Sequence, residues 1–197
     1  MTKAERTRQY IIEQSAPIFN TKGIAATAMS DIMQATKLAK GSLYVHFENK
    51  EELSHSAVHY NLTCLMEKIT AAVRAAGTAK EKIVAYVDFL SDPLNPPVAG
   101  GCPLLNFGLE TDERSALIRS KVFKVVEAIQ LGIQKLVQAG IRAGEFDENW
   151  DGRAFAVKTF ALLEGGNLVS RAAGNNDQMK MIVGMIKEEI GRYSRQN

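Results

Sequence analysis

Residues 27–50 read T-A-M-S-D-I-M-Q-A-T-K-L-A-K-G-S-L-Y-V-H-F-E-N-K, and their spacing predicts two short helices joined by a tight turn, followed at once by the cap of a longer helix. In the first, Met29, Ile32 and Ala35 share one face and leave Ser30, Asp31 and Gln34 to water. So short a helix does not stand alone in water and must dock against neighbours. In the second, from about Lys40 to Phe47, Leu43 and Phe47 lie four apart and point inward, while Lys40, Ser42, Tyr44, Val45 and His46 stay outside. An outer face made of a cation, a hydroxyl, a phenol, an apolar tip and an imidazole is unusual for a merely solvated helix. It suits a surface that meets phosphates and base edges, where Lys neutralises charge, hydroxyls bond phosphate oxygens and apolar groups meet thymine methyls.

These residues resemble the helix-turn-helix of the tetracycline-repressor (TetR) family of bacterial transcriptional regulators, most specifically in L-A-K-G-S-L-Y-V-H-F-E-N-K-E-E-L. The likeness runs from Lys3 to about Val58. It implies that Lys40, Gly41, Ser42, Tyr44 and Val45 face the major groove, that Ser30 on the preceding helix also reaches DNA, and that Thr27, Tyr44, His46 and Lys50 hold phosphates. Two positions depart from the family pattern. Lys37 stands where the turn usually has Gly, so a non-glycine residue is expected in or near the left-handed region. Ala39 replaces the Ser or Thr that often caps the second helix, a side chain worth about 1 kcal/mol.

The charge is uneven along the chain. Met1 to Lys50 carries seven cations against four anions, a balance of +3, whereas the remainder holds 17 against 18, or −1. The asymmetry is modest, and it places the positive excess in the segment that carries the motif. At 197 residues the chain suits one ordinary domain or a small module fused to a larger one. No apolar signal core follows the charged N-terminus, and no run of eighteen apolar residues predicts a membrane span. Cys64 and Cys102 lie far apart in separate predicted helices and make no disulfide framework, which points to a reducing cytoplasm.

The first helix is expected from about Lys3 to Thr21, with Ile11, Ser15, Ile18 and Phe19 inward, Gly23 after its end and a kink at Pro17. Arg6 and Arg8 are either phosphate contacts, by the resemblance, or a solvated basic end. Asn49 and Glu52 cap a fourth helix to about Ala75, with Leu53, Ala57, Leu65, Ile69 and Val73 inward. That helix would act as a lever between the reading module and whatever follows. His55 and His59 stand four apart on it, but no further ligand is near, and ordinary surface histidines are the better reading than a metal site. Thr78 and Glu81 open a fifth helix to about Leu90, after which S-D-P-L-N-P-P-V-A-G-G requires a loop.

Next comes Gly101-Cys102-Pro103-Leu104-Leu105-Asn106-Phe107-Gly108-Leu109-Glu110, in which Pro103 reads as the first position of a short helix and Cys102 as its cap. A thiol at the positive end of a helix is favoured as thiolate. The G-C-x-L-x-N-x-x-x-E run also resembles one branch of the family, some of whose members sense electrophiles or oxidants through cysteine. Cys102 is thus a sensor or, the preferred reading, a cap and packing residue. A long seventh helix starts at Thr111 or Asp112 and carries Ile118, Val122, Val125, Ile129, Ile133 and Leu136 on one side. The eighth runs from about Asp151 to Ala173 with Phe155, Phe160, Leu163 and Leu168 inward, and the ninth from about Asp177 to Tyr193 with Met179, Ile182, Ile186 and Ile190 in line. Gly165 and Gly166 in mid-helix predict close approach of another backbone. By the resemblance, the last two helices of each subunit form a four-helix dimer interface, which Gly165, Gly166 and Gly184 suit.

The fold expected is therefore all-α, with about nine helices: a three-helix helix-turn-helix module over 1–48 and a larger helical effector-binding and dimerisation domain over 49–197. No catalytic constellation, metal-ligand cluster or cofactor motif is legible, and the only histidines are His46, His55 and His59. The function expected is a repressor that binds a palindromic double-stranded DNA operator as a homodimer and is released by a small molecule or by thiol modification. The competing reading is an all-helical enzyme or interaction module whose helix-turn-helix does not bind DNA. Candidate effector or sensor residues are Cys102, Phe107, Phe123 and Phe160, although aromatic residues at helical spacing are more often plain core.

Overall fold

The computed structural model describes residues 1–110 and 116–195. Among them are nine helices: α1 (Lys3–Lys22), α2 (Met29–Thr36), α3 (Lys40–Tyr44), α4 (Lys50–Arg74), α5 (Ala79–Phe89), α6 (Pro103–Leu109), α7 (Ala116–Arg142), α8 (Gly152–Ala173) and α9 (Asp177–Tyr193). A single isolated bridge, Phe146 to Ser194, is the one β feature of the described residues. The start expected for α7 at Thr111 or Asp112 lies outside the described residues.

The chain packs as two units, one of Met1–Leu65 with Val98–Phe123 and one of Met66–Pro97 with Lys124–Asn197. The division by packing thus falls within α4 and α7 and differs from the functional cut expected after residue 48.

In the first unit the helix ends follow from local chemistry. Thr2 and Glu5 make a reciprocal capping box at the start of α1, and the helix passes Pro17 without interruption before ending at Gly23. Ile11, Ala16 and Phe19 are fully buried, with Ser15, whose hydroxyl donates to the Ile11 carbonyl (2.6 Å). Asn49 caps α4 by accepting from the Glu52 amide (2.9 Å), and the Glu52 carboxylate reaches back to the Glu48 amide (2.8 Å).

Behind α1 sits α6, fixed by the polar residues of the Gly101–Glu110 run. Buried Asn20 donates to the carbonyls of Ala99 (2.7 Å) and Gly101 (3.0 Å). The Asn106 amide donates to the carbonyls of Asn20 (2.8 Å) and Gly100 (3.0 Å). Glu110 accepts from the Ile24 amide (2.6 Å) in the α1–α2 turn. Gly23 there has φ 84°, and an added Cβ would fall 1.8 Å from Glu110 Oε1, so both backbone sign and space demand glycine.

In the second unit Thr78 and Glu81 form the expected capping box of α5, and Asp151 caps α8 by accepting from the amides of Arg153 and Ala154. Ile129, Ile133 and Val137 of α7 are buried, as are Phe155 and Leu163 of α8 and Met179, Ile186 and Ile190 of α9. Trp150 stacks on Tyr193, with ring centroids 5.2 Å apart, and meets Phe146 edge-on at 4.7 Å. One expectation is corrected. Leu168 is 53% exposed rather than inward, because the buried side of α8 runs through Leu163, Gly166 and Ser170. Of the glycine pair, Gly166 packs under α9, where an added Cβ would meet the Met179 and Ile182 side chains at 2.9–3.0 Å, and Gly165 faces open space.

Candidate nucleic-acid interface

The α2–α3 pair is held from below. Ile32 of α2 and Leu43 of α3 are buried, and Phe47 just beyond α3 joins them. The Tyr10 hydroxyl donates to the Thr36 carbonyl (3.2 Å), which ties the end of α2 to α1. Lys37 then reverses the chain in the left-handed region, φ 58° and ψ 22°, as the missing glycine requires. Ala39 caps α3 in extended conformation and offers no side-chain bond.

This support turns one face of α3 outward. Lys40, Gly41, Ser42, Tyr44 and Val45 are exposed, His46 is half-buried, and Ser30 is exposed in the first turn of α2. Val45 is 79% exposed, an apolar tip held in water beside the phenol of Tyr44. The Lys40 ammonium lies 5.9 Å from the Tyr44 ring centroid, within cation–π range. Lys50, half-buried at the start of α4, donates to the Ala25 carbonyl (3.2 Å).

Charge around the patch is sorted by pairing. Lys22 binds Asp31 (2.8 Å), and that bond, followed by the Ala28 amide, holds the Asp31 carboxyl below its usual range. Among the described residues no carboxylate lies within salt-bridge distance of Lys37, Lys40 or Lys50, so their charge is available to an outside anion. Arg6 is exposed. Arg8 turns inward, pairs with Glu52 (2.9 Å) and lies 4.4 Å over the Phe47 ring.

Thr27 stands apart from the other eight candidates. It is 1% exposed, and its hydroxyl donates to the Gly23 carbonyl (2.6 Å), so its side chain braces the α1–α2 turn. A threonine four residues after a helix-ending glycine is the sequence signal for that role.

The second unit contains an apolar cavity of about 260 Å³ between α4, α5 and α7. Ile69, Val73, Ile129 and Ile133 contribute its walls, with Arg74 and Tyr86 as polar groups. None of the four expected effector residues lines it. Cys102 and Phe107 are buried in the first unit, Phe123 is 58% exposed, and Phe160 is half-buried on α8. The lining stripes, Met66-Ile69-Thr70-Val73 and Ile129-Gly132-Ile133-Leu136, read as ordinary core in the sequence; Gly132, in the middle of one, is their one sign of space.

A three-helix head with a docked, outward-facing α3 defines the class of helix-turn-helix regulators. The bacterial regulatory proteins of the tetR family match at residues 11–57 and the tetracyclin repressor-like C-terminal domain at 79–185, and the chain belongs to this family. The TetR-family regulator from Cytophaga hutchinsonii has a similar structure, with TM-score 0.93 and 34% identity over 100% of this chain and 99% of that one. The TetR regulator from Chloroflexus aurantiacus J-10-FL matches at TM-score 0.93 and 33% identity, covering all of both chains. The HTH-type transcriptional repressor DhaR of Mycobacterium sp. strain GP1 is 22% identical over 184 residues, 93% of this chain and 91% of its own. No helix of the described residues is long and apolar enough to cross a membrane.

Proposed function

We infer that this TetR-family transcriptional regulator represses by binding a palindromic operator as a homodimer and leaves DNA when a small molecule occupies its second unit. The reading rests on one observation above all: α3 holds Lys40, Ser42, Tyr44 and Val45 in solvent over a buried Leu43 and Phe47. DNA reading belongs to residues 1–48, effector binding and pairing of subunits to 49–197, and the place of work is the cytoplasm, where the operator is. Lys40, Gly41, Ser42, Tyr44 and Val45 enter the major groove. Ser30, His46 and Lys50 meet the backbone beside it, and Thr27 supports the turn from within.

One such helix reads too little sequence, so two subunits address half-sites about 34 Å apart or somewhat more. Support for pairing comes from α8, where Val157, Ala161, Gly165 and Leu168 recur at intervals of four, four and three and are all exposed, and from exposed Met181 and Met185 on α9. The effector fits the cavity beside Ile69 and Ile133, and acts by favouring a state whose two α3 helices no longer match the half-sites. The Gly101–Glu110 run is the mark of a family branch. Its Asn106 and Glu110 hold α1 and the α1–α2 turn, and Cys102 at 7% exposure suits a cap and packing residue better than a sensor.

Binding of duplexes by Ala variants tests the assignment. Lys50→Ala should weaken cognate and random DNA alike, while Lys40→Ala and Tyr44→Ala should also relax site preference, by about 1–3 kcal/mol for a base contact. Equal losses on both DNAs for every variant would overturn direct readout by α3.

A further inference from the structure

The first unit holds a second concavity that neither DNA reading nor the effector cavity uses. It is a groove of about 470 Å³, lined by α1, α4 and the early turns of α7, with Ile12 in its wall. Arg8 and Gln9 come from α1, His55, Ser56 and Tyr60 from α4, and Lys121 from α7. Nearly all of these groups are hydrogen-bond donors or can become so. Two basic side chains, Arg8 and Lys121, face one carboxylate, Glu52, with His55 and His59 beside them.

That carboxylate is already committed. Its oxygens accept from Arg8 (2.9 Å) and from the Glu48 amide (2.8 Å), where it helps to cap α4. Lys121 has no such partner among the described residues. Its ammonium, half-buried, donates to the His55 main-chain carbonyl (3.1 Å), a neutral acceptor. Burial lowers its pKa, as it must for a cation partly removed from water without a counter-charge. The groove is within the size range of small-molecule clefts and has an excess of donors over acceptors.

We propose that this groove binds a small organic carboxylate, its anionic end between Lys121 and Arg8 and its apolar body against Ile12 and Tyr60. The carboxylate supplies the counter-charge that Lys121 lacks, and its two oxygens lie beside Ser56 and Gln9, whose own donors go to the Glu52 carbonyl and to Glu13. The site goes beyond the proposed function: it lies in the unit that carries α3, and its ligand is distinct from one held in the apolar cavity of the other unit.

Calorimetric titration of the full-length protein without DNA tests it, with millimolar benzoate as probe and benzamide as the neutral isostere. Benzoate should bind about tenfold or more tightly than benzamide, and Lys121→Met should remove that margin, since one charge-assisted bond is worth roughly this factor. Lys121→Arg should retain binding, which separates loss of charge from loss of fold, as should an unchanged circular dichroism spectrum. Arg74→Met, in the apolar cavity, should leave benzoate affinity as it was. The proposal fails if benzoate does not bind, if benzamide binds equally, or if Arg74→Met rather than Lys121→Met abolishes binding. It fails too if Lys121→Met weakens duplex DNA while benzoate is ignored, for the groove would then seat the nucleic-acid backbone.

Discussion

At the scale of the residue, Lys37 shows how much a single backbone angle was foreseeable. The sequence lacks the glycine that the turn between α2 and α3 calls for, and the structure holds lysine at φ 58°. A left-handed non-glycine residue is strained by about 1–2 kcal/mol, partly offset because glycine has more freedom to lose on folding. Lys37→Gly should therefore raise stability in urea denaturation by about 0.5–1 kcal/mol, and a lower midpoint would show that the lysine stem makes compensating contacts. Other single residues are harder to read because a residue type does not say which way its polar atom points. A threonine at position 27 suits a phosphate contact, yet its hydroxyl is bonded to the Gly23 carbonyl; Arg8 suits phosphate and solvent equally, yet it pairs with Glu52.

At the scale of the element, helix starts were the most legible features, since a cap is local chemistry. Thr78 with Glu81 and Asn49 with Glu52 could be read directly, and the structure forms both bonds. Those caps carry a pH signature. The Glu52 carboxyl is held below its usual range by the Glu48 amide and then by Arg8, and the Glu81 carboxyl by the amides of Thr78 and Gly77. A carboxyl with a depressed folded-state pKa contributes its stability fully above the unfolded-state value and loses it as pH falls through the folded one. The urea midpoint should accordingly stay level from neutral pH to about pH 5 and fall below about pH 4, with a shallower fall in Glu52→Gln. A fall of equal steepness in that variant would remove Glu52 from the account. Which side of a helix is buried was harder to read. Leu163 and Leu168 are both apolar and five apart on α8, but that spacing turns the helix too far for both to face one core, and Leu168 points to water.

At the scale of the whole molecule, the all-helical class and the family were plain in the motif, whereas the cavity was not. A void is a property of several helices at once, and Ile69, Val73, Ile129 and Ile133 have the same periodicity whether they touch each other or a ligand. Pairing of subunits can be tested on the exposed stripe: Leu168→Glu with Met185→Glu should yield a monomer in sedimentation velocity and weaken operator binding far more than random binding. A dimer that survives both changes would place the interface elsewhere. The ties between α1 and α6 bear on how such a regulator could be re-engineered. Asn20 is bonded to Ala99 and Gly101, and Ile24 to Glu110, partners 79 to 86 positions away along the chain. A chimera spliced after residue 48 or 57 would inherit the groove-reading helix but sever its scaffold, so a portable head for new operators must bring the distant strip from Val98 to Glu110 along with it.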